Sequence, residues 1–554
     1  MKSTRMRTAV AAVSISTLAL GLAACSSSDE GGSGDGEATG DGVSIGAEQS
    51  VGAMEDFAAG ETFQATEPVE FSLLYRDHPN YPVQDDWSVF QQLEANQNVT
   101  FTRTDVPLAD WDQKKALLIG SGETSDIMSV TYPGQEVQFV SGGALLPVSD
   151  YLEYMPNFSQ KLADWDLSED VDNLRQEDGK FYILPGVREV TDVQYSVVVN
   201  DDMWTKAGIT EDPATWEEFA ADLQTVKDAN PDVDYAFSDR WTDSQPLGAM
   251  LQYMAPNFGA SGGWGYSNTW YDAASGEFTF NGTSEGYREL LDTVAGMIES
   301  GAMDPEITQN DDQAKQKFIS GKSAAISGNT QEITAYRTAL EDAGKDVKIR
   351  MLTLPAGPAG SNLMPSRLSS GLMIAADAAE KPYFKALLQY VDWQYYSDEG
   401  IEFAQWGVEG ETYDTVDGVR TLKDDIGWNA INPGAPKMLN TDFGYSNGVF
   451  LLANGSSQEL LESVMSDETK EWTRAVLDAK TVLPVTPAAR LDEMELEQVS
   501  LLDTQLKDAV MAATAAFVTG QRSLDEWDSY VAEIDGLGST QLVDTYNTAL
   551  ARQQ

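Results

Sequence analysis

The chain has 554 residues, with 35 Lys and Arg against 89 Asp and Glu, a formal net charge of −54. So acidic a surface argues against nucleic acid and anionic lipid as partners and favours solubility after export. One cysteine leaves no disulfide, and with one histidine, His78, it argues against zinc sites and against Ser-His-Asp or Cys-His catalysis. Hydrophobic residues make up 42% of the chain and aromatic residues 10%, so stability has to come from packing, and the length suits two lobes.

In chain order, Lys2, Arg5 and Arg7 precede an uncharged run from Thr8 to Ala24 that closes with Leu22-Ala23-Ala24-Cys25. A cationic flank, a short apolar core and small residues at its end form the layout of a secretory signal. Leu-Ala-Ala-Cys resembles the bacterial lipobox, which implies cleavage before Cys25 and lipid attachment to its sulfur. Residues 1–24 are thus expected to be a lipoprotein signal peptide, and removal of its three cations takes the formal charge to −57. Residues 25–66 hold few large apolar side chains and are expected to form a flexible tether. No later segment is long and apolar enough for a membrane helix.

The fold is expected to begin at Val69, where Val69, Phe71, Leu73 and Tyr75 alternate with Glu70, Ser72 and Leu74 as in a strand. A helix from Trp87, a strand from Val99 to Thr104, a helix from Trp111 stopped by Gly120, and a strand from Asp126 to Val130 follow. Such alternation predicts a parallel sheet with right-handed crossovers. Asp178-Gly179 reads as a hairpin turn, Val193 to Val199 as a buried strand, and Thr215-Trp216-Glu217-Glu218 as a capping box. Residues 235 to 282 are turn-rich and aromatic. Helical spacing from Ser284 to Ile298, strands from Ser323 to Ile326 and Val347 to Leu352, a strand from Gly371 to Ala375 and a helix from Lys381 to Tyr396 come next. A hairpin is expected at Asp417-Gly418, and a second capping box at Ser523-Leu524-Asp525-Glu526 lies within a helical tail from Asp492. No internal repeat is present.

Several fragments, in this order, resemble the extracellular solute-binding proteins of bacterial ABC importers, in the branch that captures oligosaccharides. They include Gly120-Ser121-Gly122-Glu123-Thr124-Ser125-Asp126-Ile127, Gly143-Ala144-Leu145-Leu146-Pro147-Val148-Ser149-Asp150, Asp178-Gly179-Lys180-Phe181-Tyr182-Ile183-Leu184-Pro185, Pro213-Ala214-Thr215-Trp216-Glu217-Glu218-Phe219, Gly301-Ala302-Met303-Asp304-Pro305-Glu306 and Trp406-Gly407-Val408-Glu409-Gly410. The resemblance implies an α/β, two-lobed periplasmic-binding-protein-like fold with crossing hinge strands and a helical C-terminal part. The expected N-terminal lobe is 67–187 with 328–375, and the C-terminal lobe 188–327 with 376–554. It also implies capture of an oligosaccharide for an ABC transporter permease by a monomeric, lipid-anchored protein on the outer face of the cell membrane. Members of this branch often carry a calcium loop. Here Asn230-Pro231-Asp232-Val233-Asp234-Tyr235-Ala236-Phe237 lacks the run of oxygen ligands, so no metal and no other cofactor is expected.

Binding residues are sought at strand ends and in loops. Arg76 and His78 follow the first strand, Tyr132 the third, and loops at the carboxyl ends of such strands face the ligand crevice. A solvent-exposed loop histidine is the competing account of His78. Asn329 and Gln331 share that topological argument, and Arg188 lies where the chain should pass between lobes, with a salt-bridged buried arginine as its alternative. Trp241, Trp264, Trp270 and Trp406 lie in turn-rich sequence, where flat indoles can cover the apolar faces of sugar rings. Tryptophans in loops also serve as buried plugs. The alternative function is a surface polysaccharide hydrolase or lyase, since a pair of carboxyls cannot be recognised by spacing; the expectation is no catalytic residue.

Overall fold

The computed structural model describes residues 43–241, 245–428, 431–450 and 456–553. The signal segment and Cys25 lie outside the described residues. In chain order the strands that build the two lobes are β1 (Val69–Asp77), β2 (Val99–Pro107), β3 (Ile127–Thr131), β4 (Leu184–Val187), β5 (Tyr195–Asn200), β6 (Tyr235–Ser238), β7 (Thr269–Asp272), β8 (Glu277–Phe280), β9 (Ser323–Asn329), β10 (Ile349–Met351), β11 (Asn362–Leu363) and β12 (Leu368–Ile374).

β1 buries Val69, Phe71, Leu73, Leu74 and Tyr75 and leaves Glu70 exposed. Alternation is lost at its carboxyl half because the strand is central, with packing on both faces. It pairs in parallel with β2, Val69 opposite Val99, and with β3, Leu73 opposite Ile127. The complete sheet has the order β2-β1-β3-β12-β4, with β12 antiparallel to both neighbours. A second sheet has the order β10-β5-β9-β6. Each sheet has its own buried core, and the fold is two-lobed α/β.

The caps follow the sequence closely. Thr215 Oγ1 accepts from the Glu218 N–H at 3.1 Å and opens the helix Trp216–Ala229, while Glu218 reaches back to the Ala214 N–H at 2.8 Å, one residue before its expected partner. The Ser523 and Glu526 side chains likewise accept backbone N–H groups before the helix Trp527–Gly536. Asp417 and Gly418 both take the left-handed conformation that a tight hairpin between Tyr413–Val416 and Val419–Leu422 requires.

Two expectations of domain organisation are corrected. Residues 43–66 are not a flexible tether. Phe63 and Ala65 are buried in the first core, Phe63 packs edge-on against Tyr390, and the Val51 and Ala65 N–H groups bond to the Pro382 and Gln97 carbonyls. A few apolar side chains suffice because the rest of the first lobe supplies the opposing surface.

The lobe boundaries also shift. The described residues between 376 and 460 pack on the first lobe, with Phe384, Tyr390, Trp393, Trp406 and Tyr445 in its core. β12 returns the chain to the first sheet, and the short connection after it keeps the next helices on that sheet. Residues 328–352 belong to the second lobe: β9 pairs with β5, and the helix Glu332–Asp342 returns the chain to the same sheet as β10. Beyond residue 460, the helix Asp467–Ala479, through Trp472 and Val476, and the helical tail, Glu493–Val518, Trp527–Gly536 and Ser539–Ala551, pack on the second lobe.

Several segments cross between lobes. The Arg188 and Asp192 N–H groups bond to the Arg367 and Ser366 carbonyls at 2.9 and 3.0 Å, so the outgoing and returning chains run as an irregular ladder. β11 pairs with Thr481–Val482, and Ser456 accepts from the Glu189 N–H. These few strands are what joins the lobes.

Candidate functional site

The order β2-β1-β3 means that the chain leaves β1 to one side and returns as β3 on the other. A crevice opens at such a switch point, outside the carboxyl ends of the two strands. Arg76 lies at the end of β1 and Tyr132 follows β3 directly, so both flank that crevice. Tyr132 is 50% exposed. Beyond Arg76, His78 and Tyr81 bridge back on each other and their rings stack, with centroids 4.4 Å apart and planes at 7°. Burial, then the Arg76 charge, pushes the His78 imidazole below its ordinary value.

The second lobe presents a matching aromatic group. Tyr195, the first residue of β5, is 37% exposed although the rest of its strand is buried. Its ring meets Trp241 at 5.6 Å and Trp264 at 5.2 Å, both edge-on, and the two indoles meet each other at 5.9 Å and 83°. Offset and edge contacts of this kind fix ring orientation. Trp241 takes the left-handed conformation, with φ of 57°, and its N–H donates to Asp311 at 2.9 Å. Beneath the indole the Arg240 guanidinium lies 4.1 Å from the ring centroid, and Arg240 is itself held by Tyr336, Asp311 and Glu332. Gly248 and Gly263 allow the loop to close on itself: a Cβ on Gly248 would lie 2.1 Å from the Trp241 carbonyl oxygen, and one on Gly263 would lie 2.0 Å from that of Gly248.

Burial raises the Tyr81 and Tyr195 phenols above their ordinary values. Asn329 stands opposite Tyr195 in the register of β5 and β9. Asn329 Oδ1 in turn accepts from the Gln331 and Glu332 N–H groups at 3.0 and 2.8 Å and opens the helix after β9. Arg76, His78 and Tyr132 thus flank the first lobe's crevice, while Trp241, Trp264 and Asn329 gather around Tyr195 on the second lobe, the two parts of an aromatic strip. Tyr81 and Tyr195 belong to that strip and were missed. Tyr81 stood in the loop already singled out, whereas the Tyr195 segment reads as a buried strand and gave no signal.

Beside the strip a cleft of about 730 Å³ lies between the lobes. Tyr132 and Asn173 line it from the first lobe, Trp270 and Tyr271 from the second, and Met364 and Pro487 from the crossing segments. Trp270 stands half-buried on the hairpin β7-β8. Gln331 is exposed and faces a different cavity of about 310 Å³, with Asp192, Gln194, Trp428 and Ser446.

Arg188 is 5% exposed and ion-pairs with Asp192 within the crossing ladder, where it braces the hinge. Trp406 is corrected. It is 1% exposed, its Nε1 donates to Ser463 at 3.1 Å and its ring meets Tyr413, so it is a core residue of the first lobe.

Among the described residues no group of three or more His, Cys, Asp or Glu could hold a metal ion. The loop 230–237 does not fit calcium, because ammonium groups already sit among its oxygens. Lys206 donates to Asn230 Oδ1 at 3.2 Å, and Lys322 donates to the Asp232 carbonyl at 3.1 Å and to Asp234 at 3.3 Å.

The sequence profile of a family described as bacterial extracellular solute-binding protein matches residues 79–395. A chain of Brucella abortus strain 2308 described as a binding protein is 25% identical over 307 residues, 54% of this chain and 66% of that one, just under two thirds of its length. Two solved structures share the fold. The alginate-binding protein AlgQ2 without calcium ion superposes with a TM-score of 0.68 at 18% identity, over 88% of this chain and 99% of that one. A solute-binding protein of Bifidobacterium longum infantis described as HMO-binding and ABC-transporter-associated gives 0.66 at 18% identity, over the same shares.

Proposed function

Because the chain belongs to the bacterial extracellular solute-binding proteins, we propose that it captures an oligosaccharide between its lobes and delivers it to an ABC transporter permease. The family is one of binding proteins, not enzymes. The observation that carries the sugar reading is the aromatic strip, with Tyr81 and Tyr132 on one lobe and Tyr195, Trp241 and Trp264 on the other. Ring faces suit the C–H faces of sugars, while Arg76 and Asn329 offer polar groups for hydroxyls. The glycans named for similar folds, alginate and HMO, support this class of ligand.

A ligand that touches both lobes favours the closed arrangement by its differential contacts, and the narrow crossing segments are where the motion would occur. In this reading Arg76, His78, Tyr132, Trp241, Trp264, Trp270 and Asn329 contact the sugar, Arg188 braces the hinge, and Gln331 lies at the far end. The protein acts as a monomer, and a lipid on Cys25 holds it at the outer face of the cell membrane.

Calorimetry and thermal shift against a panel of neutral and acidic oligosaccharides test the ligand class. Saturable binding accompanied by a change in tryptophan fluorescence is expected. Binding of peptides or other solutes with no response to any glycan would refute it. For the anchor, Cys25→Ala should release the protein from the membrane fraction, and a variant that still sediments after a salt wash would refute lipid attachment.

A further inference from the structure

We propose that the captured oligosaccharide is acidic, and that Arg76 receives one of its carboxylates. The inference rests on the oligosaccharide reading above and narrows its chemistry. With 89 Asp and Glu against 35 Lys and Arg, any accessible guanidinium in this chain has carboxylates to choose from. Among the described residues every other arginine is engaged. Most are in ion pairs, such as Arg103 with Asp85, Arg240 with Asp311 and Arg420 with Glu402, and Arg490 donates to the Asp172 carbonyl. Arg76 has neither an ion pair nor a hydrogen bond with any described residue, and its Nε is enclosed without a partner. An unpartnered buried donor costs free energy, most of all on a charged group, unless a ligand completes it.

The position of Arg76 says what kind of ligand. It ends β1 at the switch point of the first sheet, where the crevice opens. Gly448 lies beside it: a Cβ there would stand 3.7 Å from Arg76 Nη2 and 3.8 Å from the Tyr81 hydroxyl, so a guanidinium and a phenol converge on the Gly448 backbone.

The carboxylates of the same region are turned inward. Asp77 accepts from the Val83 N–H at 2.8 Å, and Glu136 accepts from the Gly134 N–H at 2.7 Å. Lys115, buried and bonded to the Val130 carbonyl and Gln135, has its own carboxylate in Asp112 at 3.9 Å and does not compete for Arg76's ligand. A planar guanidinium suits bidentate pairing with a carboxylate.

The test uses the full chain and calorimetry. Trimers and tetramers of galacturonic, mannuronic and glucuronic acid are compared with the same oligomers reduced at the carboxyl to the neutral alcohol. At least one acidic oligomer should bind about tenfold or more tighter than its reduced counterpart, the scale of one charged hydrogen-bonded contact. Added salt should weaken only the acidic form. Arg76→Gln should erase that preference at unchanged melting temperature, and Arg76→Lys should restore part of it. Reduced or other neutral oligosaccharides that bind as tightly as every acidic one overturn the inference and leave the sugar reading standing. So does a preference that survives in Arg76→Gln. If no glycan of either kind binds, the inference and the sugar reading fall together.

Discussion

Trp406→Ala separates a core tryptophan from a ligand-facing one. The indole is 1% exposed, packs on Tyr413 and donates to Ser463 Oγ at 3.1 Å. Truncation of a fully buried tryptophan typically costs about 3–5 kcal/mol. Loss of the hydrogen bond adds little, because Ser463 still donates to the Leu460 carbonyl at 2.6 Å. For a lobe of this size each kcal/mol lowers Tm by about 2–4 °C, so the first lobe should melt on the order of 10 °C early. Affinity in the folded variant should be unchanged. Trp264→Ala is the mirror experiment. Its half-buried indole shares the cleft strip with Tyr195 and Trp241, so binding should weaken by about 1–3 kcal/mol with a small change in Tm. Calorimetry at a temperature where both variants are folded, with scanning calorimetry beside it, gives the two readouts. A Trp406→Ala protein that melts like the parent but binds poorly would refute the placement of that ring, and the converse for Trp264→Ala would refute the strip as the site.

Burial pushes the Asp239 and Asp392 carboxyls up to about 7. Between about pH 4 and 7 the native state then binds more protons than the unfolded chain, so their contribution is largest in acid and fades as pH rises through 7. The net charge of −54 acts in the same direction, and Tm should rise between pH 8 and 5.5; a falling Tm over that range would contradict the assignment. Because Lys206 and Lys322 already fill the oxygen-lined places at residues 230–234, chelator should leave Tm and affinity unchanged, and a large destabilisation would expose a metal site. Saturating ligand should lower the radius of gyration in small-angle scattering, and an unchanged radius would count against closure about the crossing segments.

What the sequence made legible is what short range decides. The Thr215 and Ser523 caps, the Asp417-Gly418 turn and the β1 to β3 alternation each depend on a handful of neighbouring residues, and each occurs. Membership of a lobe depends instead on which sheet the returning strand joins, and that pairing links residues as distant as Met128 and Met373. Trp406 shows how local signals mislead. Its sequence surroundings read as turn-rich, yet Gly407 ends the helix Asp398–Trp406 at φ of 85°, and a Cβ there would press on the Tyr445 ring at 2.8 Å. The glycine serves close packing, and the helix aims the indole inward.

The site resists sequence reading for a related reason. Its proposed parts lie at positions 76–81, 132, 195, 241, 264 and 329, and no one segment holds more than a fraction of the contacts a sugar would make. Tyr195 is the sharpest instance: the same strand that buries Val197, Val198 and Val199 exposes its first residue, because β5 starts where the second lobe meets the first. A ligand surface divided between two lobes exists only when they approach, so its residues need not be neighbours along the chain. In the proposed function that division would give binding its leverage: contacts to one lobe alone would be equal in open and closed forms and would shift nothing, whereas contacts to Tyr81 and Tyr132 together with Tyr195 and Trp241 would favour closure.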